Sequence, residues 1–85
     1  MMSIFRSSVK PGEWHKPELL TWHMEMDYTG VLIPVLVCDQ GHEAIIRTHK
    51  VNPEGVVTPS IMCPVEGCTF HEYVKLEGWE RGSQN

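Results

Sequence analysis

Two short segments of this chain carry the residue types that hold metal ions: Cys38-Asp39-Gln40-Gly41-His42 and Cys63-Pro64-Val65-Glu66-Gly67-Cys68. Thiolate sulfur and imidazole nitrogen suit zinc, which imposes no geometry of its own and needs four such atoms converging at about 2.0–2.3 Å. Each segment offers two ligands a few residues apart, and each carries a glycine just before its second ligand. Gly41 and Gly67 let the backbone bend so that its N–H groups can point at the preceding sulfur. Five candidate ligands compete for four places, because His71 lies three residues past Cys68. The preferred set is Cys38, His42, Cys63 and Cys68, which makes two loops of similar build joined by about twenty residues. The alternative replaces Cys63 with His71, or leaves His71 beside the site, hydrogen-bonded to a ligand or a carbonyl. In an extended strand Cys68 and His71 are an odd number of steps apart and point to opposite faces, which disfavours the alternative.

The remaining candidates read as ordinary. His15, His23 and His49 lack ligand spacing and are expected on the surface or on a strand face. Met24 and Met26 share a face with Trp22 and read as core. Trp14 and Trp79 flank the domain as packing lids or interface anchors. No separate nucleophile and base pair suggests cysteine catalysis.

The elements that must position the ligands are strands. From Leu20 to Thr29 residues alternate strictly, with Leu20, Trp22, Met24, Met26 and Tyr28 on the expected inner face and Thr21, His23, Glu25, Asp27 and Thr29 on the outer one. Thr29-Gly30 turns the chain, and Val31 to Val37 returns as a partner strand, placed by Pro34 at a sheet edge or at a bulge. Glu43 to His49 reads as the next strand. Asn52-Pro53-Glu54-Gly55 is a turn, Val56 to Met62 returns from it, and Thr69 to Leu76 is the last strand. Residues 1–18 contain Ser7, Ser8, Pro11, Gly12 and Pro17 without periodicity and read as an irregular N-terminal arm that folds over the domain with Phe5 and Trp14. Residues 19–79 are the domain and 80–85 a frayed polar tail. The expected fold class is a small all-β, zinc-ribbon-like antiparallel domain stapled by one metal site.

Size and charge bound the rest. At 85 residues, apolar burial leaves little margin over conformational entropy, so a Zn2+ staple is needed and the metal-free chain is expected to be unfolded or molten. Three cysteines cannot all pair in disulfides, and Met1 to Val9 lacks the apolar core of a secretory leader, so a reducing, cytosolic setting is expected. No apolar run approaches the roughly 20 residues that span a bilayer, so no membrane partner is expected. Seven basic and eleven acidic side chains give a net charge of −4, which opposes binding to a phosphate backbone.

The succession Thr29-Gly30-Val31, Cys38 to His42, Val57-Thr58-Pro59-Ser60-Ile61, Cys63-Pro64, Gly67-Cys68-Thr69-Phe70-His71-Glu72 and Leu76-Glu77-Gly78-Trp79 resembles small zinc-ribbon-like proteins encoded by tailed bacteriophages. The likeness spans about residues 28 to 79 and lies in the Cys-x-x-Gly-His, Thr-Pro-Ser-Ile and Gly-Cys-x-Phe-His motifs. It implies a phage origin, in the host cytoplasm or the virion, and a metal-binding β fold, and it raises the standing of His71, which the last motif includes. The expected function is a non-catalytic zinc-binding module that contacts a phage or host protein through Trp14, Trp79 or the Val31 to Val37 edge. One alternative is a nucleic-acid-binding ribbon. A second is a zinc hydrolase, with Glu43 or Glu72 as base at an open metal position; the helical His-Glu-x-x-His arrangement that would support it is absent.

Overall fold

The computed structural model describes residues 1–80. Among the described residues every helix-or-strand element is a strand, and there are nine: β1 (Met2–Arg6), β2 (Thr21–Met26), β3 (Leu32–Val37), β4 (Glu43–Ile45), β5 (Lys50–Val51), β6 (Val57–Thr58), β7 (Ile61–Met62), β8 (His71–Glu72) and β9 (Val74–Leu76). The fold is a small all-β domain. A five-stranded sheet runs in the order β4-β3-β2-β1-β9, and two short hairpins, β5-β6 and β7-β8, complete it. No helix among the described residues is long and apolar enough to cross a membrane.

The N-terminal segment departs from the sequence expectation. Residues 2–6, placed there in an irregular arm, form β1 in the interior of the sheet, parallel to both neighbours, with Phe5 opposite Thr21 and Ile4 opposite Leu76. The sheet is therefore mixed rather than purely antiparallel. One side chain, Ile4, is buried within β1, so the strand is held by backbone pairing more than by a pattern of apolar residues. Parallel neighbours need a long crossover. Residues 7–20 supply it, and they run across one face of the sheet.

The other face holds the main core. Trp22, Met24, Leu36, Ala44, Ile61, Phe70, Val74 and Leu76 pack there with Ile4, Cys38 and Cys63. Trp22 is tied in by its indole N–H, which donates to the Glu77 carbonyl at 2.8 Å. Arg6 lies 4.8 Å over its ring, and Trp79 packs 5.6 Å away at a tilt. Trp79 is thus a packing lid, whereas Trp14 is 89% exposed.

Alternation holds for Trp22 and Met24 but fails at the hairpin tip, where Met26 and Tyr28 are exposed, because the tip runs past the core. It fails in the opposite sense at His23, which is 1% exposed beneath the crossover. Pro34 is also not at an edge: β3 lies between β2 and β4. The Pro34 carbonyl accepts from Ile46 N at 2.9 Å, so its nitrogen faces the β4 side just past the end of β4 at Ile45, and the β2–β3 ladder loses no donor. The expected strand from Val56 to Met62 is split at Pro59-Ser60 into β6 and β7. The expected strand from Thr69 to Leu76 is split at Tyr73, after which β9 leaves its hairpin and joins β1. Of the expected frayed tail, residues 81–85 lie outside the described residues.

Candidate metal centre

Three hairpin turns in this fold are built to one plan. In Asp27-Tyr28-Thr29-Gly30-Val31, Asp27 N–H donates to the Val31 carbonyl, Gly30 N–H donates to the Asp27 carbonyl, and Asp27 Oδ1 accepts from Thr29 N at 2.8 Å and Val31 N at 3.0 Å. In Asn52 to Val56 the same bonds recur, with Asn52 Oδ1 accepting from Glu54 N and Val56 N, both at 2.9 Å. In Cys38 to His42 sulfur replaces the oxygen: Cys38 N–H donates to the His42 carbonyl, Gly41 N–H to the Cys38 carbonyl, and Gln40 N–H to Cys38 Sγ at 3.3 Å. The fourth residue is a glycine each time, with φ of 87°, 91° and 84°, a conformation that costs other residues about 1–2 kcal/mol. The first metal loop is thus an Asx-type turn with a thiol in the acceptor position.

The second loop joins β7 to β8. Cys63 N–H donates to the Phe70 carbonyl at 3.0 Å and Cys68 N–H to the Val65 carbonyl at 3.1 Å. Cys63 and Phe70 both turn into the core, each 5% exposed.

The two loops bring one donor atom from each of Cys38, His42, Cys63 and Cys68 within 4.8 Å of one another. His42 faces the sulfurs with Nδ1, which is 3.7 Å from Cys38 Sγ and 3.6 Å from Cys63 Sγ; Cys38 Sγ and Cys68 Sγ are 3.8 Å apart. An ion bound tetrahedrally to sulfur at about 2.3 Å and nitrogen at about 2.0–2.1 Å requires edges of about 3.8 Å between sulfurs and about 3.6 Å between sulfur and nitrogen. The residues fit such an ion. The sulfur separation also excludes a disulfide, and all three cysteines are free.

Electrostatics divide the thiols. Burial pushes the Cys38 thiol up, but N–H groups of Gln40 and His42 and the neighbouring thiols outweigh it, so Cys38 sits below the ordinary thiol range. At Cys68 the Phe70 N–H pulls down, while burial, the two other thiols and the Cys38 charge outweigh it, leaving Cys68 above that range.

His71 lies outside the cluster. It is paired across from Met62, and both are exposed, one step out of phase with the inward-facing Cys63 and Phe70. Its Nε2 is 2.7 Å from Ser60 Oγ instead. His49 is half-buried, and its Nε2 donates to the Ser60 carbonyl at 3.0 Å. Neither Glu43 nor Glu72 belongs to the group of donors that converge at the cysteines. His15 and His23, expected on the surface or on a strand face, are drawn together between the crossover and β2 with their rings 4.6 Å apart; a parallel β1 was the signal needed to foresee it, and no periodicity marks that strand. Comparison with known protein families, with curated proteins and with solved structures finds no match.

Proposed function

We propose that this protein is a non-catalytic zinc-binding module whose ion is structural and whose surface docks on another protein. The observation that carries this reading is the donor set itself: four protein ligands at tetrahedral spacing, at the margin of the main core, leave no position for a water nucleophile. Three thiols among four donors favour zinc over harder cations. The net charge of −4 argues against phosphate-backbone recognition. Exposed Met26, Tyr28 and Ile45, around the β2–β3 hairpin and the marginal strand β4, supply an apolar contact face, replacing the β3 edge that the sheet order buries. The motif likeness to phage-encoded proteins supports a phage origin, with a virion component or host factor as the partner.

Three measurements test this reading. Zinc-loaded protein should leave oligonucleotide anisotropy unchanged at low salt; a salt-dependent rise would favour a nucleic-acid ribbon instead. Azide should leave the spectrum of the Co2+-substituted cysteine site unchanged, whereas a shift would reveal an open position and a hydrolase. A partner cross-linked in infected cells should be lost on Tyr28→Ala or Ile45→Ala and retained on His71→Ala.

A further inference from the structure

We propose that His15, His23 and Glu25, with Glu43 beside the two histidines, form a second divalent-cation site, of the imidazole-and-carboxylate class that takes zinc, which clasps the 7–20 crossover to the sheet. One donor atom from each of His15, His23 and Glu25 lies within 4.8 Å of the others. His23 Nε2 is 3.4 Å from Glu25 Oε2 and 3.8 Å from Glu43 Oε2, and His15 Nε2 is 3.6 Å from the same Glu43 oxygen. Nitrogen and oxygen donors about 2.0–2.2 Å from a tetrahedral ion are about 3.4 Å apart. Charge-assisted hydrogen bonds would instead bring these atoms to about 2.7–2.9 Å. Nε2 of His15 and Nε2 of His23 are both buried without a hydrogen-bond partner, and His23 is 1% exposed.

The outer partners orient these donors for a cation. His15 Nδ1 is 3.2 Å from the Glu13 carbonyl, which can only accept, so Nδ1 carries the proton and Nε2 presents its lone pair. Glu25 Oε1 accepts from Gly12 N–H at 3.1 Å, leaving Oε2 for the site. Gly12, Glu13 and His15 all belong to the crossover, while His23, Glu25 and Glu43 come from β2 and β4. Val35 and Val37 are buried in the same sheet but outside the main core cluster and stand opposite His23 and Glu43 in the ladder, an apolar flank to the donors. An ion here joins two parts of the chain that otherwise meet through few bonds. The site shares no ligand with the cysteine cluster.

The test uses the full chain in a zinc buffer, read by native mass spectrometry and by Co2+ spectra. Wild type should bind two ions, the second without a thiolate charge-transfer band. His15→Ala and Glu25→Gln should each weaken the second ion at least tenfold, since losing an orienting partner alone costs about 10–100-fold, and should keep the first ion with its thiolate band. Chymotryptic cleavage after the exposed Trp14 should slow as the second ion binds. A wild-type chain that holds one ion at saturating zinc would overturn the proposal. So would a second ion whose affinity is unchanged in both variants. Absence of the thiolate band in wild type would count against the cysteine site instead, and His15→Ala, which leaves the cysteine ligands in place, tells the two apart.

Discussion

If the cysteine cluster binds zinc only in the folded chain, stability must follow free zinc with a slope set by the number of ions released on unfolding. Each tenfold increase in free zinc above the dissociation constant then adds about 1.4 kcal/mol per ion. For 85 residues, an unfolding entropy of about 2.1 cal/mol/K per residue gives about 0.18 kcal/mol/K, so Tm should climb about 8 °C per decade. The assay is thermal unfolding by circular dichroism in a series of zinc buffers. At low free zinc the slope should report one ion; once the His15, His23, Glu25 and Glu43 site fills, it should approach about 16 °C per decade. His71→Ala should shift the curve slightly through its lost Ser60 contact and leave the slope alone. Cys38→Ala and Cys63→Ala should remove the cooperative transition, because structural zinc contributes about 10–16 kcal/mol where the whole net stability is about 5–15 kcal/mol. A wild-type Tm that ignores free zinc over several decades would refute the reasoning, as would a slope abolished by His71→Ala.

Three further outcomes follow from the same geometry. A Cβ at Gly55 would run into the Leu76 carbonyl oxygen and lie 3.0 Å from Trp79 Cβ, whereas one at Gly30 meets nothing within 4 Å; with φ similar at both, urea unfolding should show about 1–2 kcal/mol lost in Gly30→Ala and about 1–3 kcal/mol more in Gly55→Ala. Ile4→Ala should cost about 2–5 kcal/mol in the same assay, and a loss under 1 kcal/mol would mean that β1 is not a true interior strand. The Thr29 hydroxyl, the N–H groups of Val31 and Thr29, and Arg47 hold Asp27 at about 2, down from 3.8; a depressed folded value gives stability that is complete above 3.8 and lost as pH falls towards 2. The stability gap between wild type and Asp27→Ala should therefore shrink below pH 4, and a gap that stays constant there would contradict the assignment.

The metal loops were legible because ligand chemistry leaves a short-range mark: Cys38 with His42, and Cys63 with Cys68, each around a positive-φ glycine. The Asn52 to Gly55 turn was legible for the same local reason. What escaped the sequence is non-local. β1 shows one inward side chain, so no periodicity announces it, and its parallel pairing to Thr21 and Val74 joins residues far apart in the chain. Missing β1 meant missing the crossover, and with it the burial of His23 under His15. Pro34 misled because its rule concerns a donor that here faces the end of a shorter strand. His71 sits in a recurrent-looking motif, yet strand phase turns it toward Ser60.

The likeness between the Cys38 turn and the turns at Asp27 and Asn52 bears on how an ion enters. Asp27 and Asn52 close their hairpins with oxygen and no metal, so the backbone around Cys38 needs no ion to take its shape. Hairpins of this kind form in about 1–10 μs, which makes Cys38 and His42 a ready-made bidentate chelate. Zinc then meets one prepared claw rather than four scattered residues, and the entropy left to overcome is mainly that of closing the 43–62 segment and forming the second loop, the closure being a term that grows only slowly with length. Capture at one claw, followed by closure of the other, becomes the natural order of assembly.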